Sequence, residues 1–166
     1  MTELYIIRHG LAGKRLEDPA LDESRPLTDK GKDKMKDIAR GLRNLDVSFD
    51  KVYTSPLARA EETAELLKRC CIKDKDVEAT DLLKPGSNYD DLISFINRAK
   101  GADRIALVGH EPFLSEFASY CLSKSKWSFI DFKKGGVMML ESDGAIRPGK
   151  CKLAWLMGPA QLIEIS

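Results

Sequence analysis

Hydrophobic positions along the chain alternate between two periods. Leu4-Tyr5-Ile6-Ile7 is a continuous apolar run of the kind a strand buried on both faces carries. Leu11 to Pro26 is polar and aperiodic, and its breakers Gly13, Pro19 and Pro26 predict a long loop. Thr28 then reads as an N-cap, and Met35, Ile38, Ala39, Leu42 and Leu45 recur at helical spacing on one face. Lys51 to Thr54 predicts a short strand. Ser55-Pro56 after it has the form of an N-cap followed by proline at the first helical position. The helix it opens carries Leu57, Ala60, Ala64 and Leu67 on one stripe.

The second half keeps the rhythm. Val77 to Leu83 predicts a strand, closed by Pro85-Gly86-Ser87-Asn88, and Leu92, Ile93, Ile96 and Ala99 mark an amphipathic helix. Arg104 to Val108 predicts a strand with a strongly apolar centre, and Pro112 opens a helix bearing Phe113, Leu114, Phe117 and Cys121. Val137 to Leu140 and Lys152 to Met157 then form two strands joined in hairpin fashion through Asp143-Gly144. Strand–helix alternation of this kind predicts an α/β three-layer sandwich: a central, mostly parallel sheet, helices on both faces, and an antiparallel edge near the end. With no repeat, linker or low-complexity stretch, residues 1–166 read as a single domain.

Composition narrows the function classes. The 166 residues carry 27 Lys plus Arg against 26 Asp plus Glu, a net charge of +1, which argues against a dedicated nucleic-acid binder. No apolar run reaches the roughly 20 residues of a membrane span, and the first residues bear an acid where a signal peptide bears bases. The four cysteines (Cys70, Cys71, Cys121, Cys151) lack Cys-x-x-Cys spacing, so reduced, mostly buried thiols and a cytoplasmic location are expected. A monomer suffices.

The two histidines occupy the same kind of place. His9 follows the first strand as Arg8-His9-Gly10, and His110 follows the Arg104–Val108 strand as Gly109-His110-Glu111. Each therefore lies past the carboxyl end of a parallel strand, the edge at which open α/β sheets bind ligands. Arg8 stands beside His9. Arg59 lies in the first turn of the helix after Ser55-Pro56, and helical side chains lean toward the N-terminus, so it reaches the same edge. Two guanidinium forks and two imidazoles suit a tetrahedral phosphoryl group. The plainer role for Arg59 is an ion pair with Glu61 or Glu62. The histidines lack metal-ligand spacing, so no metal and no other cofactor is expected.

These residues carry a resemblance. Leu4 to Gly10, Leu27 to Gly31, Tyr53 to Ala64 and Val108 to Glu111, in that order and spacing, resemble the histidine phosphatase superfamily, with its phosphoglycerate mutase-like fold. The resemblance implies that His9 is the nucleophile that is transiently phosphorylated. It also implies that Arg8, Arg59 and His110 bind the phosphate and complete the catalytic set. Placement at the strand ends alone treats the two histidines alike.

One departure is informative. Larger members of the family carry a Glu or Asp after the third strand that protonates the leaving group; here Lys84-Pro85 stands about there, and the long cap insertion is missing. A compact chain of this form is similar to the SixA-type phosphohistidine phosphatases. The P–N bond of phosphohistidine breaks without a strong general acid, whereas an alkyl ester needs one. The resemblance thus implies a phosphohistidine-bearing protein domain as partner. Asp81, Asp90 and Glu111 stay open as acids, against solvated or helix-capping roles. With Glu111 or an Asp of 81–91 as donor, a small-molecule phosphomonoesterase is the alternative, and a non-catalytic phosphoprotein-binding module is the rival of another class. The mixed-sign Leu11–Pro26 loop is expected to be solvated, Trp127 and Trp155 to pack, and Lys133-Lys134-Gly135-Gly136 to be a plain turn.

Overall fold

The computed structural model describes residues 1–72 and 77–166; the side chain of Cys70 lies outside the described residues. Six strands form one sheet: β1 (Thr2–Arg8), β2 (Lys51–Thr54), β3 (Val77–Ala79), β4 (Arg104–Gly109), β5 (Val137–Ser142) and β6 (Lys152–Met157), in the order β3-β2-β4-β1-β5-β6. The first four in that order run parallel, and β5 and β6 complete an antiparallel edge. The helices are α1 (Pro19–Glu23), α2 (Asp29–Asn44), α3 (Ala58–Cys71), α4 (Tyr89–Ile96), α5 (Phe113–Ser123) and α6 (Pro159–Glu164).

The apolar runs are continuous because both faces of the sheet are covered. Leu4 and Ile6 of β1, with Ile105 and Leu107 of β4, pack against Leu92 and Ile96 of α4 and Phe113 and Phe117 of α5. The alternate residues Tyr5, Ile7, Ala106 and Val108 face Met35, Ile38 and Leu42 of α2, Ala60, Ala64 and Leu67 of α3, and Leu162 of α6. Each large side chain so buried contributes roughly 1.5–3 kcal/mol. These are the three predicted layers.

Local chemistry sets the element boundaries. Thr28 caps α2 as expected, its hydroxyl accepting from Gly31 N at 3.0 Å. The strand predicted over Val77–Leu83 stops at Ala79. Beyond it the Thr80 hydroxyl accepts from Leu82 N and caps a 3₁₀ turn over Asp81–Leu83. The loop predicted over Leu11–Pro26 contains α1, because Asp18-Pro19 is itself a cap followed by proline at the first position: Asp18 Oδ1 accepts from Ala20 N and Leu21 N. Ser55 is not the cap of α3. That helix opens at Ala58 behind Leu57, without a side-chain cap.

Trp155 packs edge-on against Tyr5, ring centroids 6.0 Å apart, whereas Trp127 is 85% exposed, contrary to its expected packing. Cys71, Cys121 and Cys151 are buried. Among the described residues, no helix is long and apolar enough to cross a membrane.

Candidate active site

Strand register brings the two histidines together. β1 and β4 pair in parallel with Arg8 opposite Gly109, so the residues that follow leave neighbouring strands at the same level. His9 N donates to Gly109 O at 3.0 Å, and the imidazole centroids of His9 and His110 lie 5.1 Å apart. On the other side of β4, Thr54 of β2 sits opposite Val108. Ser55 N donates to Val108 O at 2.9 Å, which sets the Ser55 hydroxyl 2.8 Å from His110 Nε2. The hydroxyl expected to cap a helix instead orients an imidazole. Arg59, in the first turn of α3, reaches the same edge, and all four predicted residues line one cleft of about 1000 Å³.

The His9 tautomer is fixed by its neighbour. Nδ1 lies 2.7 Å from the Gly10 carbonyl, which can only accept, so Nδ1 carries the hydrogen and Nε2 keeps its lone pair. Burial, and secondarily the charges of Arg59, Arg8 and Lys134, hold the His9 pKa down to about 4. Burial first, then His9 and the arginines, hold His110 down to about 3. Both rings are neutral near pH 7.

The arginines are short of partners. Arg8 Nη1 donates to Phe132 O at 2.7 Å. Arg59 Nη1 donates to Asp22 O at 3.0 Å, and its Nη2 lies 3.6 Å from the Asp22 carboxylate. The expected pairing of Arg59 with Glu61 or Glu62 does not form, and Glu62 accepts from Leu27 N instead. Burial lowers the pKa of both guanidiniums. Arg8 Nε, Arg59 Nε and His110 Nδ1 are buried with no hydrogen-bond partner among the described residues. Polar groups buried without a partner are costly, and an anion in the cleft would relieve that cost at the two guanidiniums.

The Leu11–Pro26 segment is largely exposed, as expected, and it also forms one wall of the cleft. Asp22 organises it: its Oδ1 accepts from Leu16 N at 2.9 Å and Arg25 Nε at 2.8 Å, and these bonds lower its pKa to about 2. Opposite, the Lys133–Gly136 turn is a turn as predicted, but it also braces the site. Gly135, at φ +76°, donates its N–H to the carbonyls of Arg8 and His9, both at 3.1 Å, and Lys134 lines the cleft. Arginines 8, 15, 25 and 59 and lysines 14, 84 and 134 line the cleft against Glu17, Asp22, Glu23 and Glu111. Sequence reasoning missed Ser55, Asp22, Arg25 and Lys134; the Asp18-Pro19 pair was the available sign that the wall is ordered.

Of the three candidate acids, only Glu111 lines the cleft. Burial raises its pKa, but both its oxygens are held by Ser115, one by the backbone N at 2.8 Å and one by the hydroxyl at 2.6 Å. Asp81 is exposed and pairs with Lys84 at 3.0 Å, and Asp90 accepts from the Tyr120 hydroxyl at 2.9 Å. Lys84 and Pro85 line the cleft in their place. Among the described residues, no group of three or more His, Cys, Asp or Glu is placed to hold a metal.

Known proteins resemble the chain in sequence and in fold. Residues 4–84 match the model of the histidine phosphatase superfamily (branch 1). The chain is 34% identical over 145 residues to an uncharacterised protein of Picosynechococcus sp., spanning 86% of this chain and 87% of that one. It is 26% identical over 163 residues to the phosphohistidine phosphatase SixA of Escherichia coli (strain K12), spanning 96% of each. The structure of the protein histidine phosphatase SixA complexed with tungstate has the same fold, with a TM-score of 0.83 over 97% of this chain and 99% of that one at 24% identity. Motif order and overall likeness lead to one conclusion: the chain belongs to the histidine phosphatase superfamily and is a phosphatase.

Proposed function

We propose that the enzyme removes phosphate from phosphohistidine in a protein, with His9 as the nucleophile and Arg8, Arg59 and His110 as the phosphate-binding set. The His9 Nε2 lone pair attacks phosphorus in line as the P–N bond to the substrate breaks. The departing imidazole, protonated on its other ring nitrogen, leaves neutral. Water then attacks phospho-His9, both of its hydrogens leave with the phosphate as H₂PO₄⁻, and His9 is regenerated with its Nδ1 hydrogen still on the Gly10 carbonyl. Arg8 and Arg59, with His110 Nδ1 once the Ser55 hydroxyl donates to Nε2, offset charge on the equatorial oxygens.

The choice of substrate rests on the state of the cleft carboxylates. Glu17 and Glu23 are exposed at the cleft's edge; of the two carboxylates that are partly buried, Asp22 is held ionised by Leu16 N and Arg25, and Glu111 is engaged at both oxygens by Ser115. Neither is a free acid for an alkoxide leaving group, and an imidazole leaving group needs none. A second reading has one observation in its favour. The half-buried Glu111 carboxyl, its pKa raised, lies in the cleft; were it released from Ser115, it would serve a small-molecule phosphomonoesterase as proton donor.

Turnover of a histidine-phosphorylated protein domain and of an alkyl phosphate ester, by wild type, His9→Ala and Glu111→Gln, separates the two. The proposal expects turnover of the phosphoprotein, an acid-labile phosphoryl-enzyme, and a loss of at least about 1000-fold in His9→Ala. Glu111→Gln should stay within a few-fold of wild type on that substrate. Brisk ester turnover that collapses in Glu111→Gln would establish the second reading instead.

A further inference from the structure

We propose that residues 124–134 are the docking surface for the phosphoprotein substrate, and that the substrate meets it with a face that is acidic and apolar. The inference rests on the phosphohistidine reading above and names the surface that selects a protein over a small molecule. Trp127 and Phe129 are each 85% exposed, two large aromatics two residues apart in a segment with no helix or strand of its own. Neither belongs to either core cluster. Exposed aromatics are enriched in the buried centres of protein interfaces, and charged side chains belong to their rims.

The segment is fastened to the active site at one end. Phe132 is buried, its carbonyl accepts from Arg8 Nη1 at 2.7 Å, and the turn that follows donates from Gly135 N to the His9 carbonyl. At the other end Lys126 lines a second groove of about 430 Å³ with Tyr89, Phe113 and Glu116. That groove shares Pro85 and Pro112 with the catalytic cleft, so Lys126, the neighbour of Trp127 in the chain, borders a groove that adjoins the phosphate site. A protein seated on this surface presents one side chain to His9, whereas a small phosphate compound leaves Trp127 and Phe129 untouched.

Charge supplies the rest of the partner's description. Lys124, Lys126 and Lys134 are exposed and make no ion pair among the described residues. The nearby acids are already occupied: Asp131 pairs with Lys133 at 2.7 Å, and Glu116 accepts from the Tyr89 hydroxyl at 2.7 Å. Cations without counter-charges steer an acidic face, and the aromatics hold it.

The test compares kcat/KM on two substrates with the same P–N bond: an acidic protein domain phosphorylated on histidine by phosphoramidate, and free phosphoimidazole. Trp127→Ala/Phe129→Ala should lose at least about tenfold on the protein and stay within twofold on phosphoimidazole, which also certifies its fold. Lys124→Glu/Lys126→Glu should slow the protein reaction and flatten its dependence on salt. Equal rates on the protein for the aromatic double variant and wild type would overturn the inference while leaving the phosphohistidine reading intact, as would an equal loss on both substrates. So would a wild-type dimer in sedimentation that the aromatic substitutions dissociate without changing protein turnover, since the patch would then serve a second copy. Failure of wild type to dephosphorylate the protein, with brisk turnover of an alkyl ester, would overturn the phosphohistidine reading and this surface with it.

Discussion

A pair of buried neutral imidazoles ties the stability of this protein to pH. In the unfolded chain both histidines titrate near the usual 6.5, whereas in the fold His9 is held at about 4 and His110 at about 3. Between these values the unfolded chain binds more protons than the native one, so stability is lost as pH falls through that window. At pH 4.5 the loss is on the order of 2 kcal/mol for each ring. Urea midpoints at pH 7 and pH 4.5 measure it. His110→Gln, which can still meet Ser55, should show a smaller acid loss than wild type. Phosphate should restore part of the wild-type loss, because an anion beside the rings favours their charged forms. Equal acid losses in the two proteins would mean that His110 is not held neutral.

Beside α6, α2 has no room for a side chain at Gly41. A Cβ on Gly41 would lie 2.0 Å from the Leu162 carbonyl oxygen, a backbone atom that cannot swing aside. Although alanine is the better helix former, Gly41→Ala should cost about 1–3 kcal/mol through overpacking, read as a lower urea midpoint with an unchanged slope. A gain in stability would mean that α6 yields freely. The same distinction between local and distant causes explains what could be read without coordinates. The strands, α2 and α5 were legible because period and caps are local, and Arg8, His9, Arg59 and His110 because each sits next to a strand end or helix start that is itself local. The wall of the cleft was not. Arg59 meets Asp22 across 37 positions and Arg8 meets Phe132 across 124, and no spacing rule reaches that far. β3 was over-read because Val77 to Leu83 is apolar enough for a longer strand, while the Thr80 cap that ends it is a competition between side chain and ladder. Trp127 was misplaced because an apolar side chain shows its preference and not its neighbours.

At the scale of the whole molecule, charge is nearly balanced and its distribution is not. The net charge is +1, yet the residues lining the cleft number seven cations against four carboxylates. Small anions are therefore drawn to the cleft, and two components of that attraction respond differently to salt. Lys14, Arg15 and Lys134 are exposed and screened over a Debye length of about 10 Å at 0.1 M, shrinking to about 3 Å at 1 M. Arg59, only 6% exposed, is screened far less. The binding of tungstate or inorganic phosphate, followed as a rise in melting temperature, should weaken by about tenfold between 0.05 M and 0.5 M sodium chloride and then level off. Lys14→Gln/Lys134→Gln should remove much of the salt dependence and leave the plateau, whereas Arg59→Gln should lower the plateau itself. Binding indifferent to salt would show that the peripheral cations take no part in capture, and binding that vanished at high salt would show that the buried arginines contribute too little to hold the anion on their own.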